Sequence, residues 1–241
     1  MIWPAAMIDI VIEGAGRNAL STVVLTSLRD ALRAAGDAPV LLRGAGGCFS
    51  AGLNLKEVAS LDLGGMQRFL GLLEETFEAL YLHPAPVVAL VEGHAIAGGA
   101  VLALCCDWRV SAADEKARIG LNEVALGLQF PPKTWAIVNA RLPPSTRERV
   151  LLGAGLHGPA EALALGLLDE VTSEPDARAR AVLATLAAHP REAYAATKRS
   201  MRAGVVALSK EATEAFVAQV APTWVSDAVK ARMLAVLKPK G

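Results

Sequence analysis

Histidine, cysteine and the aromatics are all scarce in this chain, and its charges cancel. The four histidines, His83, His94, His157 and His189, stand singly, none with a partner at ligand spacing. That argues against a metal site. The three cysteines cannot make a disulfide framework, because Cys105 and Cys106 are adjacent and Cys48 has no evident partner. Reduced thiols in a cytoplasmic protein are the expectation. Aromatic residues are 5% of the sequence while hydrophobic residues are 53%, so the core is mostly Ala, Leu and Val. Lys+Arg 24 balances Asp+Glu 24. No global field draws nucleic acid or an anionic membrane, and any anionic ligand must be held by local groups.

Several signals are missing as well. The first seven residues, M-I-W-P-A-A-M, lack a basic region followed by an apolar one, so no signal peptide is expected. The most apolar stretch, 84–106, is interrupted by Glu92, His94 and several glycines and reads as a core element, not a membrane span. In the Gly-rich segment 44–52 the third glycine of a dinucleotide fingerprint would be Phe49, and no Walker lysine follows. A G-x-S-x-G elbow is absent too.

The 241 residues can bury roughly 70–75% of their unfolded surface without staples. Met7–Glu13 and Pro39–Leu42 read as strands, and Ser21 can cap a helix carrying Val24, Leu25, Leu28 and Leu32 on one face. Met66, Phe69, Leu70, Leu73, Phe77 and Leu80 mark a long amphipathic helix. Val87–Val91 is a buried strand, with short strands at Trp108–Ser111 and Ala117–Ile119. Trp135, Val138 and Leu142 suggest a helix, as does Ser145–Leu152. Gly158-Pro159 opens a short helix that Gly166 closes, and Leu167–Val171 is the last strand. From Pro175 onward three or four helices follow, broken by Pro190, Gly204 and Pro222, with no strand signal. The strand–glycine turn–helix pattern recurs near 40–80 and 87–106.

One stretch organises the rest: Glu92 to Asp107, E-G-H-A-I-A-G-G-A-V-L-A-L-C-C-D. After Gly98-Gly99 it is apolar on every side, which suits a buried helix with glycine in its first turn. A helix start leaves unpaired N–H groups and partial positive charge, and glycine lets another molecule approach them. Two readings stand: an anion or nascent oxyanion site, or glycines that only permit tight packing. Glu123 sits in the otherwise apolar I-G-L-N-E-V-A-L-G-L at 119–128. Apolar neighbours raise a carboxyl pKa towards that of a general base; pairing with an arginine, or pointing to solvent, is the alternative. Lys198, Arg199 and Arg202 form a basic cluster of the kind usually found as solvated surface, though it could meet a phosphate.

Three pieces, C-F-S-A-G-L-N-L at 48–55, G-H-A-I-A-G-G-A-V-L-A-L-C-C-D at 93–107 and the stretch around Glu123, together resemble the crotonase (enoyl-CoA hydratase/isomerase) superfamily. Within it the chain is most similar to Δ3,Δ2-enoyl-CoA isomerases of the mitochondrial type, through the A-G-L-x-L motif, G-L-N-E, G-L-Q-F-P-P-K-T-W and T-K-R-S-M-R. The resemblance implies an α/β fold, a crotonase-like spiral of ββα units (1–180) with a C-terminal helical trimerisation region (181–241). It implies a homotrimer or hexamer, in which tail helices often complete a neighbour's acyl site. It also implies an acyl-CoA thioester substrate, no nucleic-acid or membrane partner, and no cofactor, CoA being part of the substrate. By motif position Leu53 and Gly98 supply the oxyanion hole, Glu123 is the acid/base, and Ala51, Gly52, Leu53, Asn54, Leu55, Gly98 and Asn122 line the thioester site. Family hydratases carry a second glutamate where this chain has Val101, one helical turn after Gly98, which favours isomerisation. A hydratase or other crotonase acting on an unusual acyl group, or a weak acyl-CoA binder, are the alternatives. Asn54 replaces the family's usual aspartate, with an effect expected on the loop more than on the chemistry.

Overall fold

Short apolar runs buried on both faces build parallel sheets, and the chain uses its runs in this way. In the computed structural model, which describes Trp3 and residues 7–237, seven strands form: β1 Ile8–Ile12, β2 Val40–Gly44, β3 Val87–Val91, β4 Ala95–Ile96, β5 Trp108–Ala112, β6 Ile119–Gly120 and β7 Glu170–Thr172. The N-terminal heptad, apart from Trp3 and Met7, and residues 238–241 of the tail lie outside the described residues. The main sheet has the order β1-β2-β3-β5-β7, with every neighbouring pair parallel. β3, the apolar run Val87–Val91, is buried throughout and lies at its centre.

After each of the main-sheet strands β1, β2, β3 and β5 the chain passes through a second, smaller sheet before turning into helix. That sheet consists of β4 paired with β6 and of single-residue bridges Leu20↔Leu53, Ser50↔Ala95 and Ile119↔His157. Strand, crossing strand and helix thus repeat as a spiral of ββα units, the expected α/β architecture. The helix Thr22–Ala35 begins where Ser21 accepts a hydrogen bond from the Val24 N–H at 3.2 Å, and Val24, Leu25, Leu28 and Leu32 are its buried face. The long helix Leu63–Tyr81 buries Met66, Phe69, Leu70, Leu73, Phe77 and Leu80. Both pack into the larger core. The other side of the sheet is covered by the helix Pro175–Ala187, whose Ala179, Val182 and Leu183 meet Leu41, Val88, Leu90 and Val110. This helix spans position 180, where the helical tail was expected to begin.

Four local expectations change. The last strand is Glu170–Thr172, not Leu167–Val171. Gly166 turns in the left-handed region at φ +80, which drives Leu167 and Leu168 into the core before the chain reaches the sheet. The short strand expected at 117–119 forms at Ile119–Gly120, after a turn closed by the Ala117 N–H on the Asp114 carbonyl at 2.9 Å. Trp135 is 45% exposed. The helix Pro132–Arg141 turns Thr134, Ile137 and Val138 inward instead, the three- and four-residue spacing of one face. The tail has five helical segments among the described residues: Pro175–Ala187, Arg191–Val206, Lys210–Gln219, Ala221–Trp224 and Asp227–Val236. Gly204 lies inside the second of them and breaks nothing.

Of the basic cluster of the tail, Arg199 is exposed as expected, but the other two residues are not solvated. Lys198 and Arg202 are buried and reach Asp107, just past the end of the helix Gly98–Cys105. Lys198 Nζ donates to Asp107 Oδ2 at 2.7 Å and to the Ala85 carbonyl at 2.8 Å. Arg202 pairs with Asp107 Oδ1 at 2.7 Å and donates to the carbonyls of Tyr81 at 2.8 Å and Cys105 at 3.1 Å. Arg141 donates to the carbonyls of Leu104 and Cys106, each at 2.9 Å. Burial works to raise the Asp107 carboxyl, but Lys198 and Arg202 outweigh it and hold the group below 3.8. Removing one partner of such a buried set leaves uncompensated charge, at a cost of about 3–5 kcal/mol. Asp107→Asn should therefore lose about that much stability in denaturant unfolding at pH 7. Because the folded pKa is depressed, the difference from the parent should shrink only as pH falls below 3.8, through the folded value. A variant as stable as the parent at pH 7 would show that the network is not holding the tail.

Candidate active site

The helix Gly98–Cys105 starts deep in the molecule, with all eight residues buried. Its entry is unusual: Ala97 has φ 49 and ψ −120, a left-handed backbone that costs a non-glycine residue of order 1–3 kcal/mol. Glycine is required on both sides of this entry. A Cβ at Gly99 would lie 2.5 Å from the Ser50 carbonyl oxygen, and one at Gly52 (φ +87) 2.6 Å from the Ile96 carbonyl oxygen. The segment Ser50–Leu53 is therefore pressed against the helix start. Gly98 faces elsewhere: its nearest neighbours would be the side chains of Leu20 at 3.1 Å and Leu53 at 3.3 Å.

Two N–H groups are left over here. As first residue of the helix, Gly98 has no partner four residues back within it. In the bridge Leu20↔Leu53 the hydrogen bonds run from the Leu20 N–H to the Gly52 carbonyl at 2.7 Å and from the Asn54 N–H to the Leu20 carbonyl at 3.0 Å. The N–H of Leu53 points away from that pairing. Leu53 and Gly98 both line one narrow apolar cavity, with Val101, Glu123, Thr134 and Trp224 also in its wall.

Glu123 opens the short helix Glu123–Leu126 and is only 7% exposed. Among the described residues no arginine or lysine pairs with it, and its Oε2 has no hydrogen-bond partner. Burial pushes its carboxyl up to about 8, opposed only by its own backbone N–H. The helix is held at its other end by the tail, where Arg232 Nε donates to the Leu126 carbonyl at 3.0 Å. Gly127, at φ +72, leaves room for that guanidinium, since a Cβ there would sit 2.5 Å from it. Such a carboxyl, facing a cavity with two free N–H groups, can take and return a proton next to an oxygen that gains negative charge.

The remaining residues expected at the site surround the cavity without lining it. Asn54 Oδ1 accepts from the Glu57 N–H at 3.3 Å and caps the helix Leu55–Ser60. Ala51 donates its N–H to the Arg17 carbonyl at 3.0 Å. Leu55 packs against the core, and Asn122 precedes the base with an unpartnered, buried Oδ1. Sequence reading missed Thr134 and Trp224: Thr134 lies in the segment G-L-Q-F-P-P-K-T-W, but nothing there marks it as a cavity residue, and a tail tryptophan beside Pro222 carries no motif. No group of three His, Cys, Asp or Glu among the described residues could hold a metal. No helix there is long and apolar enough to cross a membrane.

Comparison with known proteins identifies the family. The sequence is 36% identical over 158 residues to the mouse (Mus musculus) protein named enoyl-CoA delta isomerase 1, mitochondrial, a match that covers 65% of this chain and 55% of the relative. It is 36% identical over 162 residues to a putative enoyl-CoA hydratase of Thermus thermophilus, covering 64% of this chain and 63% of that one. The chain thus spans little more than half the length of these relatives. In structure it resembles human mitochondrial delta3-delta2-enoyl-CoA isomerase with a TM-score of 0.90 and 27% identity, over 98% of this chain and 96% of the other. The profile of the enoyl-CoA hydratase/isomerase family matches residues 4–233, and with it the spiral fold and the glycine-started buried helix fall into place: the chain belongs to that family.

Proposed function

We propose that the protein is a Δ3,Δ2-enoyl-CoA isomerase that uses one carboxylate and no separate cofactor. The observation that carries this reading is Val101. It lines the cavity one helical turn beyond Gly98, so Glu123 is the only carboxylate in the cavity wall among the described residues. Hydration needs water activated on one side and a proton delivered to carbon, which one buried carboxylate does poorly. A 1,3-proton shift needs one base. Ionised Glu123 takes the C2 proton of a 3-enoyl thioester, and the negative charge spreads to the thioester oxygen. The N–H groups of Leu53 and Gly98 stabilise that enolate, and losing one such donor typically costs ~10²–10³ in rate. Protonated Glu123 then returns the proton at C4, and the double bond lies conjugated at C2. Glu123 lacks a charged neighbour, so its proton affinity is set by burial and suits both halves of the transfer.

Ala51, Gly52, Asn54, Leu55 and Asn122 complete the thioester site in this reading by shaping the backbone around the two donors. The family resemblance makes a homotrimer or hexamer the expected assembly. The three unpaired, buried thiols favour a reducing compartment such as the cytoplasm.

Purified protein given a 3-enoyl-CoA should form the 2-enoyl-CoA, followed by the rise of conjugated-thioester absorbance, while a 2-enoyl-CoA gains water slowly or not at all. Brisk hydration would overturn the isomerase assignment. Glu123→Gln should lower kcat by about 10²–10⁴-fold while still binding the thioester; full activity in that variant would remove Glu123 as the base.

The pH dependence follows from the raised carboxyl. Activity needs the ionised form, so kcat/KM should climb as pH rises and level off above about 8. At pH 6 it should be about 100-fold below the plateau. Stability runs the other way. A carboxyl whose folded pKa lies above its unfolded value contributes fully below pH 4.5 and loses that contribution as pH rises through 8. Glu123→Gln should therefore melt higher than the parent at pH 8.5 and equal it near pH 4.5. A flat activity profile between pH 6 and 8.5 would contradict the buried base.

A further inference from the structure

The cavity wall holds more polarity than the chemistry above uses. Thr134 is 3% exposed and Trp224 2% exposed, and both line the same cavity as Glu123. Among the described residues, neither Thr134 Oγ1 nor Trp224 Nε1 has a hydrogen-bond partner. The positions are well fixed. Glu74 Oε1 accepts the N–H groups of Lys133 at 2.6 Å and Thr134 at 3.3 Å, which anchors the start of the helix that carries Thr134. Trp224 ends the tail helix Ala221–Trp224 and comes from a different part of the chain. Buried polar atoms are satisfied in nearly all proteins, by protein or by ordered water. Two orphans from separate elements in one ligand cavity point to something the ligand brings.

A plain hydrocarbon chain would displace water from these atoms and return nothing, at the full desolvation penalty. The indole N–H only donates, and the hydroxyl donates or accepts. A hydroxyl oxygen in the chain can accept from Trp224 or donate to Thr134; a keto or ether oxygen can accept from either. On the acyl-CoA reading of the site, which this step requires, we infer that the cavity selects acyl chains bearing an oxygen function beyond the reacting carbons over unsubstituted chains of the same length.

The test is binding, not turnover. Saturated acyl-CoAs cannot be isomerised, so their affinities are independent of the reaction assigned. A series carrying a hydroxyl, or a keto oxygen, walked outward from C5 is compared by titration calorimetry with the plain chain of equal length. At one position the oxygenated chain should bind at least about 10-fold more tightly. Thr134→Val and Trp224→Phe should each pull that ratio towards one, and Thr134→Ser should restore it. Equal affinities at every position would overturn the inference, as would a ratio that survives both substitutions. The wild-type comparison decides the matter even if a variant fails to fold. Selective binding without 3-enoyl-CoA isomerisation would leave the inference standing and remove the isomerase reading; isomerisation without selectivity would do the reverse.

Discussion

The site depends on a short buried helix whose two ends are treated in opposite ways. At the carbonyl end of Gly98–Cys105, Arg141 and Arg202 take up the carbonyls of Leu104, Cys105 and Cys106. Asp107 ties Lys198 and Arg202 to the start of β3 through the Val87 N–H at 2.7 Å. Cations at a helix C-terminus offset its partial negative charge, so the helix can lie wholly in the core. The N–H end is left open at the cavity. An eight-residue apolar helix has little reason to form alone. It forms because the sheet, the helix Pro132–Arg141 and the tail helix Arg191–Val206 hold its far end.

That arrangement makes the tail part of the site's construction. Arg202 holds the far end of the glycine helix, Arg232 holds the carbonyl of Leu126 behind the base, and Trp224 closes the cavity wall. Three tail residues thus act on three components of one cavity within a single chain. The tail can therefore fix a carboxyl that has no charged neighbour. Burial is what raises its proton affinity, and burial here requires a lid of helices as well as the apolar spiral.

Periodicity made the frame legible. The strands at 87–91 and 40–44 and the helices at 22–35 and 63–81 follow from apolar runs and three-to-four spacing, because each buries one face or two. The open helix start at Gly98 and the buried carboxyl of Glu123 were also legible, since glycine next to a buried helix start and a carboxylate among apolar residues are both costly choices; Leu53 was picked out only by its place in the family motif. The fate of Lys198 and Arg202 was not. Basic residues on a helix read as solvent-facing unless their acid is known, and Asp107 lies about ninety residues earlier in the chain. Thr134 was hidden for a similar reason: whether a helical threonine faces a cavity depends on where the helix docks. Trp135, the conspicuous apolar residue beside it, drew the inward face one position too far.

Packing and anion binding are rival readings of the glycine pair, and the two residues differ in what surrounds them. Gly99 is the packing glycine, since any side chain there collides with the backbone of Ser50. Gly98 meets only side-chain ends, and it lines the cavity that Glu123 shares. The division is also causal. Close approach at Gly99 and Gly52 brings the segment Ser50–Leu53 against the helix start, and only then does the second N–H, that of Leu53, stand beside the first. Packing is what brings the Leu53 and Gly98 N–H groups together, and on the proposed function Val101, one turn further on, leaves them to serve an enolate formed and quenched by a single carboxylate.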